Sequence, residues 1–170
     1  AAIFSGMIAS LQGGWSDARR WFTEGIERSR DLGDRRFELV SQTELAHVAR
    51  RSGALDESEA TYRETIRVWQ HMGNRGAIAN MLECFAFLAL ARGDRVRVAR
   101  LFGAAESLRQ SAGAGMASHE REEYEAAVAR MRLDADGLAL DEAWAEGRRL
   151  GAEAAIEFAV TQDETKRDQM

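Results

Sequence analysis

The sequence predicts an all-α protein, a superhelix of helical hairpins in three repeats closed by a C-terminal helical cap. Gly13, Gly53 and Gly93 stand forty residues apart, and so do Gly33, Gly73 and Gly113. Between the glycines of each pair lie a short residue (Ala18, Ser58, Val98), an aromatic four later (Phe22, Tyr62, Phe102) and another small residue three beyond (Gly25, Thr65, Ala105). These spacings place all three on one helical face. Proline is absent, so glycine alone punctuates the helices. A fixed period of roughly twenty to fifty residues marks an array in which no unit buries its apolar face by itself.

Each element follows in order. Residues 2–12 form a first helix ending at Gly13-Gly14. Residues 15–32 form its partner, with Trp15, Ala18, Phe22, Gly25 and Ile26 on one face and Arg19, Arg20, Glu24 and Glu27 on the other. Residues 35–52 and 56–72 make the second pair, and residues 75–92 and 95–112 the third. Asp34 and Asn74 are expected N-caps, and Asp56 with Glu59 has capping-box spacing. Arg97 is expected on the outer face of its helix. The first helix of each pair carries small residues at matching positions, Gly6, Ala46 and Ala86, then Ala9, Ala49 and Ala89. Small side chains there let the two helices approach, with the aromatic of the second filling the space beside them. After Gly113 the period stops. Three amphipathic segments come next, the first with Ser118 as its expected cap and Tyr124, Ala127, Val128 and Met131 on one face. The second carries Leu140, Ala143, Trp144 and Gly147, and the third Ala152, Ala155, Ile156, Ala159 and Val160. The expected organisation is therefore three repeats over 1–113, capping helices over 114–163 and a frayed tail over 164–170.

The order small residue, glycine, small residue, aromatic resembles the tetratricopeptide repeat over residues 2–113. The chain departs from that pattern in its forty-residue period, in lacking the proline between repeats, and in lacking the early Trp and Tyr of the first helix. A second resemblance covers residues 102–159. The strings FGAAESLR, EYEAAVARMR and AWAEGRRLGAEAAIEFA, in that order, resemble the C-terminal repeat region of bacterial signal-transduction ATPases. These include LuxR-family transcriptional regulators and class III nucleotide cyclases with an ATPase-plus-repeats tail. In that group a serine usually succeeds the AWAEGR element and caps the last helix; Gly151 stands there in this chain. The resemblance implies a sensory or assembly role for the repeats, with catalysis or DNA binding elsewhere in a parent protein.

Composition narrows the function classes. At 170 residues the chain is one domain or one array, long enough to bury a continuous core. A net charge of −5 argues against a nucleic-acid surface, which leans on excess cation. Every cation but Lys166 is arginine, and the arginines are scattered rather than striped. The lone Cys84 allows no intramolecular disulfide and points to a reducing, cytoplasmic compartment. The longest apolar run, Cys84 to Ala91, is too short to span a bilayer, and no signal peptide is visible. The opening AAIFSG lacks an initiator Met and is already helical in pattern, the expectation for a piece of a longer protein.

No catalytic, metal or cofactor site is expected. His47, His71 and His119 are far apart in sequence and carry no zinc-ligand spacing. Cys84 reads as a semi-buried structural thiol, Glu122-Glu123 as a solvated face, and Trp15, Trp21, Trp69 and Trp144 as packing residues. The candidate site is the concave surface, which in the tetratricopeptide pattern is lined by positions of each first helix. Those positions are Phe4, Met7 and Leu11; Thr43, Glu44, His47, Arg50 and Arg51; and Asn80, Glu83, Cys84, Phe87 and Leu90. The middle group is polar with a cationic end and the flanking groups are apolar. Such a surface suits a peptide or helix of mixed character, another domain of the parent chain, or a small polar ligand. Two readings result: a non-catalytic protein-interaction or regulatory repeat domain of a bacterial signalling or transcriptional regulator, or alternatively a small-molecule sensor binding an effector in the groove. Ile3, Phe4, Met7, Ile8 and Leu11 form an apolar strip expected to drive self-association.

Overall fold

The computed structural model describes residues 2–133 and 136–161, His119 by its backbone alone. The tail expected to fray, 164–170, lies outside them. The described residues form helices and no strand: α1 (Ala2–Leu11), α2 (Trp15–Asp31), α3 (Arg35–Arg51), α4 (Leu55–His71), α5 (Arg75–Ala91), α6 (Arg95–Ala112), α7 (Ser118–Arg132), α8 (Gly137–Arg149) and α9 (Ala152–Val160). None of these helices is long and apolar enough to cross a membrane. The chain divides into two compact units, residues 1–68 and 69–170.

The first six helices end alike. Gly13, Gly33, Gly53, Gly73, Gly93 and Gly113 all have positive φ, from 61° to 91°, a region that costs a residue with a Cβ about 1–2 kcal/mol. At α2 the Gly33 amide donates to the Arg30 carbonyl (3.0 Å) and the Asp34 amide to the Ser29 carbonyl (2.8 Å). The same pair of bonds recurs every twenty residues, as with Ala54 to Ala49, Asp94 to Ala89 and Ala114 to Arg109. This Schellman closure satisfies carbonyls that the helix end would otherwise leave open. The next helix then starts on a side-chain cap where the sequence supplies one. Asp34 accepts from the Phe37 amide, Asn74 from Ala77 and Asp94 from Arg97, at 3.0–3.1 Å.

Two expected caps are not caps. Helix α4 starts at Leu55, so Asp56 already lies in its first turn, while Glu59 is buried and accepts from Arg63 at 2.6 Å. Helix α7 starts at Ser118 itself, and the carboxylate of Glu120 reaches back to the Ala117 amide (3.0 Å). Gly151 does precede α9, without a side chain to cap it.

In the unit of residues 1–68, Phe22 and Tyr62 are fully buried, as are Ala18 and Ser58 one turn before them. Ala18, Phe22 and Val48 form a core cluster, against which Ile3, Met7, Trp15 and Leu45 pack. Close approach explains two of the small residues. A Cβ on Gly6 would lie 2.6 Å from the Phe22 ring, and one on Gly25 would lie 2.8 Å from Ser41 Oγ. Helices α2 and α3 are also clasped by Glu38, whose carboxylate accepts from Arg30 and Arg35 at 2.7 Å. These two guanidiniums hold the Glu38 carboxyl below its usual range.

In the unit of residues 69–170, Ala86, Ala89, Val98 and Ala105 are buried along the α5–α6 hairpin. Phe102 is its centre. Phe87 and Tyr124 meet its ring edge-on, with centroids at 5.8 and 4.8 Å, and Trp144 lies tilted at 6.0 Å. Helix α8 crosses α6 where Gly103 meets Gly147. A Cβ on Gly103 would run into the Trp144 carbonyl, and one on Gly147 into the Arg100 carbonyl, so backbone touches backbone. Around the crossing, Glu106 accepts from Trp144 Nε1 and Arg148 Nη1, both at 2.8 Å.

Arg97 corrects the expectation of an outer-face residue. Its Nη2 donates to the carbonyls of Phe158, Ala159 and Thr161 at 2.8–2.9 Å, and its guanidinium lies 4.7 Å from the centroid of the Phe158 ring. One cation thus closes the C-terminus of α9, where orphan carbonyls and the negative end of the helix dipole favour it.

Candidate binding surfaces

The expected groove residues fall in both units. In residues 1–68 they do not form an open polar face. Met7 packs on the Ala18–Phe22–Val48 cluster. Thr43 is buried, its hydroxyl donating to the Leu39 carbonyl at 2.9 Å. His47 is half-buried, its Nδ1 2.6 Å from the Tyr62 hydroxyl. Because the Tyr62 ring is fully buried, its hydroxyl needs an internal partner, and His47 supplies it. Glu44 and Arg50 are half-buried, and Arg51 is exposed and donates to Ser10 Oγ at 3.2 Å. What α1 does display is apolar. Phe4, Ile8 and Leu11 are 73%, 57% and 70% exposed, whereas Ile3 and Met7, expected on the same strip, pack inward. The strip is a single line at i, i+4 and i+7.

In residues 69–170 the expected groove face of α5 is covered by α7. Glu83 and Cys84, expected to line the groove, are buried. Glu83 takes both bonds of a bidentate pair with Arg109, from Nε at 2.6 Å and Nη2 at 2.7 Å. Arg109 also donates to the Gly115 carbonyl at 2.9 Å, pinning the stretch of backbone that leads into α7. Burial pushes the Glu83 carboxyl up, against the pull of Arg109, while Glu83 holds the guanidinium further up. Asn80 Nδ2 donates to Glu120 Oε1 of α7 at 3.2 Å, and the Cys84 thiol faces Asn80 Oδ1 at 3.9 Å. Phe87 is half-buried against Phe102, and Leu90 is half-buried too. Tyr124 completes the cover. Burial, and then the charges of Glu106 and Glu83, push its phenol up to about 12.

Sequence reasoning missed Arg109, Glu106 and Glu120. A signal for the first existed. Glu83 is a lone acid in the run MLECFAFLALA, and an acid there must be paired if it is buried. The other two act across 38 and 40 residues of chain, where no local period reaches.

Among the described residues no three His, Cys, Asp or Glu side chains gather as a metal set. Comparison of the chain with family models, with curated proteins and with solved structures finds no match.

Proposed function

We propose that this chain is a non-catalytic protein-interaction and regulatory region of a bacterial signalling or transcriptional regulator of the LuxR or nucleotide-cyclase type. It acts in the cytoplasm, through a protein or peptide partner or other domains of its parent. One observation carries the reading. Glu83 is paired with Arg109, His47 with Tyr62, and Cys84 lies in the core, while Phe4, Ile8 and Leu11 are exposed along α1. Support for the kind of parent is the ordered set of strings across residues 102–159.

The small-molecule sensor finds less support, because Thr43, Glu83 and Cys84, which would have contributed polar groups to a ligand, are buried in the fold. Phe4, Ile8 and Leu11 give the interaction reading a concrete surface, and the isolated chain should self-associate through it. Phe4→Glu should shift sedimentation toward monomer. The reading itself is tested in the parent protein. Deleting residues 1–161 should change the stimulus at which the output domain fires and leave the intrinsic turnover or DNA affinity of that domain intact. An unchanged response would contradict it.

A further inference from the structure

Helix α7 makes its contacts at a helical spacing. Glu120 accepts from Asn80, Tyr124 lies edge-on to Phe102, and Ala127 and Met131 are buried. These positions are i, i+4, i+7 and i+11, the anchor pattern of an amphipathic helix laid into a groove. The segments on either side of α7, residues 114–117 and Leu133, are not helical, so the helix sits between two pieces of non-helical chain.

We propose that the α5–α6 face beneath α7 is a helix-binding site which α7 occupies in cis. Its partner in trans is an amphipathic helix bearing a carboxamide or carboxylate, an aromatic ring four residues later, a small residue three further on and a large apolar residue four beyond. This rests on the interaction reading above and adds a second surface to it, within residues 69–170.

A further observation favours exchange. Helix α8 meets α6 backbone to backbone at Gly103 and Gly147. Helix α7 instead meets its neighbours through its side chains, with guanidiniums of α6 on the carbonyls of Gly115 and Leu133 at its two ends, and contacts of that kind can be reproduced by another helix.

The test uses the full chain and a fluorescent, end-blocked peptide of residues 114–133 as the probe. In the wild-type chain α7 competes, so apparent affinity is the intrinsic affinity multiplied by the fraction of chains in which the site is open. Tyr124→Ala in the chain, with Tyr124 kept in the peptide, should tighten binding by about tenfold or more. A peptide carrying Tyr124→Ala should bind either chain at least about tenfold more weakly. If Tyr124→Ala compromises folding, Glu120→Ala in the chain opens the same site more gently and should still tighten the peptide by about threefold. Equal affinity for the wild-type and opened chains overturns the proposal. So does the absence of saturable binding to an opened chain whose α7 amides exchange freely. Either failure removes this site and leaves the interaction reading in place, because the deletion experiment in the parent does not depend on α7.

Discussion

From α1 to α6 each helix ends on a glycine with positive φ, whereas α7, α8 and α9 end on Leu133, Leu150 and Thr161 in extended backbone. The first group is stopped by a turn written in the two or three residues at the joint itself. The second is placed from a distance, by side chains of α6. Arg95 donates to the Leu133 carbonyl, Arg97 to three carbonyls around the end of α9, Arg109 to Gly115, and Glu106 gathers Trp144 and Arg148. A guanidinium suits this task, since its several donors lie in a fixed plane and reach more than one acceptor at once. Local turns therefore build the hairpins, and α6 clasps the three C-terminal helices.

The contrast can be broken most severely at the α6–α8 crossing. Gly147→Ala drives a methyl into the Arg100 carbonyl, and although alanine favours a helix, the net loss should be about 3 kcal/mol in denaturant unfolding. Wild-type stability in this variant would mean that α8 does not touch α6 by its backbone. Next comes Ala86→Leu, which overfills a fully buried position of the α5–α6 hairpin and should cost about 2 kcal/mol. Equal thermal midpoints would defeat the repeat register. Arg97→Leu should cost about 1–2 kcal/mol, from the lost carbonyl bonds and the lost contact with Phe158.

The smallest effect runs the other way. Asp34, Asn74 and Asp94 cap their helices, while Ala54 holds the equivalent place before α4 without a capping atom. Ala54→Asp should therefore raise stability by about 0.5–1 kcal/mol. A loss instead would show that the joint before α4 differs from its repeats.

Legibility in the sequence divides along the same line. The glycine period, the buried aromatics Phe22, Tyr62 and Phe102, and the caps Asp34 and Asn74 are all local or periodic, and all are found in place. Asp94 has the same Gly-Asp-Arg context as Asp34 and was open to the same reading. Arg97 was misplaced because a polar residue on an amphipathic helix reads as solvent-facing, and its acceptors lie 61–64 residues away in the chain. The surroundings of the expected groove residues were hidden for a related reason. Carrying positions over from a repeat pattern says nothing of later helices, and α7 lies against Asn80 of α5. In α3 the Thr43 hydroxyl turns back to its own helix. Only a partner at long range distinguishes a lining residue from a buried one.

Site-resolved amide hydrogen exchange on Arg97→Leu tests the division most directly. If α6 clasps the C-terminal helices through its side chains, protection should fall most across residues 152–160 and by clearly less in α5 and α6, whose ends are closed by their own glycine turns. A loss of protection spread evenly through α5, α6 and α9 would contradict the account, because it would make Arg97 a part of the hairpin itself.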